Sequence, residues 1–251
     1  MSGHSKWANI KRTKAKVDAQ KGKAFSRVAR EIILAARRGG GSPDANFQLR
    51  TAVLKAKEVN MPADNIRRAI EKGTGAAGGA APEEFYYEGY GPGGAAVMLL
   101  IVTDNRNRTA GDVRFILSKN GGNLGETGCV SWMFSNKGII TVDRSATSAT
   151  EDDVMLTALE AGAEDISADE EEFEILTAPE DLERVAKALE AAGLKTATAE
   201  TRMIPSTTVE VAGDDAHKML RLIDMLEDHD DVNAVYTNAD IPDEAVEAYN
   251  G

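Results

Sequence analysis

Several residue types are scarce in this 251-residue chain, and each scarcity excludes a class of protein. Cys129 is the single cysteine, so an intramolecular disulfide framework is impossible, as is usual for proteins of a reducing cytosol. The longest strongly apolar run, Ala95 to Val102, has eight residues, whereas a membrane-spanning helix needs about 20. The first residues are polar and basic and lack the apolar stretch of a secretory signal. We therefore expect a cytoplasmic protein that does not enter a membrane.

Enzyme motifs are missing as well. The chain has no Gly-x-Ser-x-Gly motif, no Walker loop and no zincin helix. Two matches to the dinucleotide fingerprint begin at Gly73 and Gly89, but neither stands between a strand and a helix, so we interpret both as turns. None of the three histidines has a Cys or His at ligand spacing, and we interpret Asp228-His229-Asp230-Asp231 as a solvated turn. We expect no catalytic residue, no metal and no cofactor, which leaves an enzyme or small-molecule sensor as the least favoured hypothesis.

The charge that is present is unevenly distributed. The net charge is −12, yet residues 1–72 contain 17 Lys/Arg and 6 Asp/Glu, a net of +11. The other 179 residues contain 12 and 35, a net of −23. Because the Debye length is about 8 Å at physiological salt, distant acidic residues do not neutralise a basic face. The asymmetry predicts binding to a polyanion through the N-terminal part.

Hydrophobic periodicity predicts three helices in this basic part. The first carries apolar residues at helical spacing from Phe25 to Ala36. The second is predicted to open at Ser42 and Pro43, as N-cap and first helical residue, and the third begins at Pro62. Residues 73–82 form a linker of small residues before the periodicity changes to that of strands and helices.

The order of elements after the linker predicts two related domains. A complete βαββαβ run lies between two βαβ halves, in which residues 129–134 and 207–212 are predicted strands. We therefore predict an α+β protein of three domains. Residues 1–75 are a basic helical nucleic-acid-binding domain, residues 83–136 with 206–251 are a split ferredoxin-like α/β domain, and residues 137–205 are an acidic βαββαβ domain inserted in it.

The basic N-terminal residues are the strongest functional signal. Many Lys and Arg on one side of a helix neutralise phosphates, and an interleaved aromatic such as Trp7 or Phe25 can stack on a base. A solvated helix face, the alternative, usually carries both signs of charge. We expect that changing Lys23, Arg27 and Arg30 to Glu abolishes binding and leaves the fold intact. Leu34 lies among the basic residues of this helix, and we expect it to contact either a partner or a neighbouring helix. The predicted nucleic-acid-binding residues are Lys6, Trp7, Lys11, Arg12, Lys14, Lys16, Lys21, Lys23, Arg27, Arg30, Arg37, Arg38, Arg67 and Arg68.

A second candidate site is the loop from Asp104 to Thr109, which joins an apolar strand to a helix. Free N–H groups and two guanidinium groups converge there, so Asn105, Arg106, Asn107 and Arg108 could bind an anion or a partner. In the alternative, Asn105 or Asn107 caps the helix and the arginines pair with nearby carboxylates. The sequence leaves both open, and also leaves open whether the turn 121–125 lies near this loop.

Long motifs give the chain a resemblance to a known family. They are Gly3-His4-Ser5-Lys6-Trp7-Ala8-Asn9-Ile10-Lys11 and residues 39–46, 60–66, 87–94 and 103–109. Over nearly its whole length the chain resembles the YebC/PmpR family. The resemblance implies a helical N-terminal domain, two α/β domains and a DNA-binding transcriptional regulator. The family also includes a mitochondrial translational activator, and bacterial members associate with the ribosome and relieve stalled elongation.

One departure from the family pattern is visible near the N-terminus. Where the family often has a His and further basic residues after Ile-Lys, this chain has Arg12-Thr13-Lys14. The positive charge is kept, so binding to nucleic acid is still expected, but a base-specific role for that His is absent.

Two functions of the nucleic-acid-binding class are left to separate. Sequence-specific duplex recognition usually uses a helix-turn-helix or a dimer, and the breaks at Gly39–Gly41 and Pro62 give only a weak helix-turn-helix pattern. A basic arm with a Trp, followed by three helices, suits irregular RNA at least as well. We predict a monomeric DNA-binding transcriptional regulator, and the alternative is a ribosome-associated translation factor that binds ribosomal RNA.

Overall fold

The computed structural model describes residues 21–76, 82–147, 149–169 and 171–249, and for residues 21–24 it describes the backbone alone. The described chain divides into two compact units. Phe134–Ile204 is one unit, and the described residues before and after it together form the other. No helix in these ranges is long and apolar enough to cross a membrane. N-terminal helices followed by mixed helix and sheet regions confirm the predicted α+β class.

Three helices come first, as predicted: α1 (Lys21–Gly39), α2 (Phe47–Glu58) and α3 (Ala63–Gly73). Both α2 and α3 pack against α1, and Ile32 and Leu49 are fully buried in the core that they share. Gly73 allows the close approach of α3 to α1, because a Cβ at this position would overlap the carbonyl oxygen of Ile33. We refer to α1, α2 and α3 as the helical part.

The start of α2 differs from the sequence prediction. Residues 43–45 form a turn, and the helix begins after Asn46 rather than after Ser42. Asn46 Oδ1 accepts the N–H of Leu49 at 3.1 Å, and its Nδ2 donates to the carbonyl oxygens of Ala35 at 2.8 Å and Gly40 at 2.9 Å. The Ser42 prediction was wrong because the buried Asn46 side chain joins the end of α1 to the start of α2, a tertiary contact that local capping preferences do not register.

The following elements are β1 (Glu83–Tyr90), β2 (Ala96–Thr103), α4 (Arg106–Lys119) and β3 (Asn123–Leu124). β1 and β2 pair antiparallel along their whole length, from Glu83 opposite Thr103 to Tyr90 opposite Ala96. β3 pairs with the Tyr90 end of β1. Nearly every residue of β2 is buried, as its continuous apolar run suggests.

The unit Phe134–Ile204 contains the predicted βαββαβ order: β4 (Phe134–Asp143), α5 (Glu151–Glu160), β5 (Asp165–Ala168), β6 (Glu172–Thr177), α6 (Leu182–Ala191) and β7 (Thr196–Pro205). The strands lie in the order β5-β6-β4-β7, the ferredoxin-like arrangement. A capping box between Thr150 and Asp153 begins α5. Fully buried side chains of the sheet and the two helices, such as Ile140, Ile175, Val154 and Leu189, form its core.

The chain then returns to the first unit through β8 (Val209–Glu210), α7 (Gly213–Glu227), β9 (Val232–Thr237), β10 (Ala239–Asp240) and α8 (Asp243–Ala248). β9 pairs with β2 and completes a sheet in the order β3-β1-β2-β9, which we call the first sheet. β8 and β10 form a separate parallel pair. Chain segments on either side of Phe134–Ile204 therefore share one sheet.

In the unit that contains the first sheet, one predicted strand was wrong and another is shorter than predicted. Residues 129–134 contain a turn and a short 3-10 helix, and residues 207–212 contain only the two-residue β8. The position beside β2 is taken by β1, which precedes it in the chain. The cause of the first error is the buried carboxylate of Glu88, which accepts the backbone N–H groups of Gly128, Val130 and Ser131 at 2.8, 2.9 and 2.8 Å. These N–H groups are then not available to a strand ladder.

Candidate nucleic-acid interface

The sequence-predicted interface falls into groups that the structure describes to different extents. Arg27, Arg30, Arg37 and Arg38 lie on α1, and Arg67 and Arg68 lie on α3. Lys21 and Lys23 are described by their backbone at the start of α1. The remaining predicted residues lie outside the described ranges: Lys6, Trp7, Lys11, Arg12, Lys14 and Lys16.

Three α1 arginines donate hydrogen bonds to the region of the first sheet. Arg27 Nη2 donates to the carbonyl oxygen of Glu227 at 3.1 Å, at the C-terminal end of α7, where the helix dipole favours a cation. Arg37 Nη1 donates to the carbonyl oxygen of Pro82 at 2.9 Å. Arg38 forms an ion pair with Glu84 of β1. These contacts connect the helical part to the first sheet.

Arg30 is more enclosed than its neighbours on α1. Burial lowers the pKa of its guanidinium group, against the opposing effect of the nearby Asp230 and Asp231 carboxylates. Its Nε is buried, and no described residue accepts its hydrogen. A Glu at this position would place a third carboxylate beside Asp230 and Asp231. We therefore expect the reversal of Arg30 to disturb the fold, contrary to the expectation from the sequence.

The apolar residues of the predicted basic face are also engaged within the protein. Leu34 is buried, so of its two alternatives the structure shows contact with the protein itself. Phe25 packs against the core of the helical part, which restricts the access of a nucleobase to its ring. Arg27, Arg37 and Arg38 of α1 therefore bond within the unit, although Arg37 and Arg38 are also exposed to solvent.

Basic side chains of α3 face solvent and bond less extensively within the protein than the α1 arginines do. The Arg67 side chain is 66% exposed and pairs with Asp64 one turn earlier at 3.0 Å, a type of contact that contributes little energy. Arg68 and Lys72, one helical turn apart, are exposed and have no ion-pair partner among the described residues. Lys57, near the end of α2, is exposed in the same way. Lys57 and Lys72 were missed by the sequence prediction, which concentrated on the run of charge on α1.

The loop before α4 adopts the second of its two predicted alternatives. Asn105 is the N-cap of α4, and its side chain accepts the N–H of Arg108 at 3.1 Å. Arg106 Nε donates to Glu83 at 2.6 Å, and its guanidinium group lies 4.0 Å from the centre of the Phe85 ring. Arg108 Nη2 lies 2.9 Å from Asp231 and 3.3 Å from Asp104. Both guanidinium groups thus have carboxylate partners, while Asn107 is exposed. Anion binding at this loop stays a prediction.

Asp231 is a residue whose importance the sequence did not indicate. It is 9% exposed, accepts a hydrogen bond from Thr109 Oγ1 at 2.7 Å, and pairs with Arg108. Burial by itself raises the pKa of Asp231, but the hydrogen bonds from Thr109 and Arg108 hold it below its usual value. The predicted solvated turn is therefore wrong for Asp231, which ties α4 to the start of β9. No group of three or more His, Cys, Asp or Glu in the described chain is placed to hold a metal ion.

The glycine-rich turn 121–125 lies away from the loop before α4. The loop precedes the first residue of α4 and the turn follows the last, so the 14-residue helix separates them. At 1.5 Å per residue, this separation is about 20 Å. The two segments do not form a common site.

Comparisons with known proteins match almost the whole chain. A family model described as "TACO1/YebC protein N-terminal domain" matches residues 5–76, and one described as "TACO1/YebC second and third domain" matches residues 82–239. A "Probable transcriptional regulatory protein" of Pelotomaculum thermopropionicum is 62% identical over 97% of this chain and 100% of its own length. A protein of the same name from Desulforamulus reducens is 60% identical over 95% of this chain and 98% of its own.

A solved structure agrees with these sequence matches. The crystal structure of a conserved hypothetical protein from Aquifex aeolicus has 48% sequence identity and a TM-score of 0.82, and the match covers 91% of this chain and 94% of that one. Sequence, fold and motifs therefore lead to one assignment. The chain belongs to the TACO1/YebC family, which is the YebC/PmpR family that its motifs resemble.

Proposed function

We propose that this protein is a non-catalytic regulator of gene expression that binds DNA through its helical part. Among the described residues of the helical part, Lys57 at the end of α2 and Arg68 and Lys72 on α3 are exposed basic side chains without ion-pair partners. The α1 arginines Arg27, Arg37 and Arg38 are already bonded within the unit. In this proposal α3 contacts the phosphates, and α1 positions α3 on the first sheet.

The observation that carries the proposal is the exposed basic face of α3. α2 and α3 are consecutive helices separated by residues 59–62, and Asn60, with φ of 60°, makes the sharp turn between them. A helix-turn-helix places its second helix in the major groove and contacts phosphates from both helices. α3, with Arg67, Arg68 and Lys72, occupies that second position. The names of the two bacterial relatives support a regulator of this class.

The second candidate is a translation factor that binds ribosomal RNA. Its support is the composition of the N-terminal segment, where Trp7 stands among basic residues and would stack on an unpaired base. An exposed basic helix neutralises phosphates of DNA and RNA alike. The two candidates therefore differ in the nucleic acid preferred at one salt concentration.

The test is a competition between a mixed-sequence DNA duplex and a ribosomal RNA fragment for the full chain at 150 mM salt. We expect tighter binding to DNA, and at least a tenfold loss of affinity in the Arg68→Glu/Lys72→Glu variant. The matched control is Arg184→Glu/Lys187→Glu, two exposed basic residues on α6 of the acidic unit, and it should bind like the wild type. A preference for the RNA would establish the second candidate, and equal binding by both variants would refute the role of α3.

A further inference from the structure

Helix α5 exposes an unusual amount of apolar surface. Six large apolar side chains are exposed among the described residues, and three of them lie within five residues on this helix. Met155 is 37% exposed, Leu156 is 61% exposed and Leu159 is 49% exposed. Val154 and Ala158, on the opposite side of the helix, are fully buried against the sheet. We call Met155, Leu156 and Leu159 the α5 apolar face.

The fold itself does not require this apolar face. Helix α6 packs beside α5 in the same unit and presents charged residues to solvent, namely Glu183, Arg184, Lys187 and Glu190. Each exposed Leu loses much of the hydrophobic stabilisation that burial of the side chain would supply. Apolar residues clustered on one exposed face, with polar residues around them, are typical of a contact surface for another molecule.

Negative charge surrounds the α5 apolar face. On a helical projection, Glu151, which pairs with Arg144 at 3.9 Å, lies on one side of the face, Glu160 lies on the other, and Asp152 lies at its N-terminal end. The helix contains no basic residue. Residues 134–204 contain 6 Lys/Arg and 17 Asp/Glu, a net charge of −11. Five of the six basic side chains already have acidic partners: Lys137, Arg144, Arg184, Lys187 and Arg202.

We propose that the α5 apolar face is a docking site for a basic amphipathic segment of another protein. Leu and Met side chains on the helix accept the apolar side of the segment, and Met155 adapts to its shape. The carboxylates of Asp152 and Glu160 attract its Lys and Arg residues and select against acidic partners. Symmetric pairing of two α5 helices does not fit, because it would bring their carboxylates together.

The experiment is site-specific photo-crosslinking of the full chain in cells that express it. Benzoylphenylalanine replaces Leu156, and in a matched control it replaces Leu54, which is 53% exposed on α2. Cross-linked peptides are then sequenced by mass spectrometry. We expect position 156 to capture a segment with a net positive charge and apolar residues at helical spacing, from a protein that position 54 does not capture.

The captured segment is then synthesised, and its affinity for the purified full chain is measured. Changing the three apolar residues to Ser should weaken binding at least tenfold, and so should Asp152→Lys/Glu160→Lys. Leu54→Ser should have no effect. All these positions are exposed, so thermal unfolding should stay within about 2 °C of the wild type.

Several outcomes would overturn the proposal. One is capture of the wrong molecule: RNA, an acidic or neutral segment, residues 1–20 of the same chain, or a second copy of the chain. The others are equal cross-linking yields at positions 156 and 54, and no capture at all. Unchanged affinity of the captured segment in the three-Ser variant would also overturn it. The test variants leave the helical part intact. The result of this experiment is therefore independent of the DNA-binding proposal.

Discussion

At the scale of single residues, the side chain of Glu88 holds the segment 128–131 by hydrogen bonds. It is 4% exposed, and its carboxylate accepts three backbone N–H groups from the segment 128–131. Burial alone would raise the pKa of Glu88, but the hydrogen bonds from Gly128, Val130 and Ser131 hold it below its usual value. An internal carboxylate thus supplies the acceptors that a neighbouring strand would otherwise supply.

We predict that Glu88→Gln lowers the free energy of unfolding by about 2–3 kcal/mol at pH 7, because charge-assisted hydrogen bonds are lost. Since the folded state lowers the pKa of Glu88, its stabilisation is complete above the unfolded pKa of about 4.3 and is lost as the pH falls through the lower folded pKa. Urea unfolding at several pH values should therefore show the same difference at pH 7 and pH 6, and a shrinking one below about pH 4.

The control for Glu88 is Glu126→Gln, an exposed residue of the same loop, which should leave the stability within about 0.5 kcal/mol of the wild type. A Glu88→Gln variant as stable as the wild type, or a difference that does not change with pH, would show that the charge of Glu88 is unimportant.

At the same scale, Asn46 combines two functions that its substitutions can separate. Its Oδ1 caps α2, and its Nδ2 donates to two carbonyl oxygens at the end of α1. Asn46→Ala should cost about 2 kcal/mol in urea unfolding, since it loses both the cap and the donors. Asn46→Asp keeps the capping oxygen but places a carboxylate beside two carbonyl oxygens, so it should cost at least as much.

Ser42→Ala is the matched test of the cap that the sequence predicted, and it should be neutral. If Asn46→Asp proves neutral and Ser42→Ala costs about 1 kcal/mol, the tertiary role of Asn46 is refuted. Sequence periodicity located the three helices, but the start of α2 depends on which side chain reaches the end of α1. That distance is set by the packed structure and not by local preference.

At the scale of elements, the contact between α1 and α3 depends on Gly73. From the sequence alone, a Gly at this position indicates the end of a helix. The structure shows a second reason why Gly is needed there. Its position against the Ile33 carbonyl leaves no room for a Cβ. The sequence does not show this contact, because Ile33 and Gly73 are brought together only when the helices pack.

We predict opposite effects for two Gly→Ala changes in helices. Gly73→Ala should destabilise the protein by about 1–3 kcal/mol, because α3 must move away from α1. Gly111→Ala should stabilise it by about 0.5–1 kcal/mol, because this exposed position in α4 has open space around it and Ala restricts the unfolded chain. Thermal unfolding measures both, and a stable Gly73→Ala variant would contradict the close packing of α1 and α3.

Topology at this scale was predictable only in part. The βαββαβ unit was predicted because each element carries its own clear periodicity. The strand order of the first sheet was not predicted. Its strand β1 comes before the first predicted βαβ half, which begins at β2. Glu88 and Asp231, which fix that arrangement, bond to groups 40 or more and 122 or more residues away in the chain.

At the scale of the whole molecule, the segregation of charge has two separate uses. Basic residues of α1 connect the helical part to the first sheet, and Arg27 does so with a group 200 residues away in sequence. Basic residues of α3 stay in solvent. The sequence predicted the positive charge but not its division, because the partners of the α1 arginines lie 45 to 200 residues away in the chain.

The salt dependence of DNA binding tests this division most directly. For the full chain, the logarithm of affinity should fall linearly with the logarithm of salt concentration, by about 0.9 per phosphate contact. Arg68→Ala/Lys72→Ala should reduce that slope by about 2 and leave thermal unfolding unchanged, because two exposed phosphate contacts are removed. A slope equal to that of the wild type would contradict the account and would mean that α3 is not the surface that meets DNA.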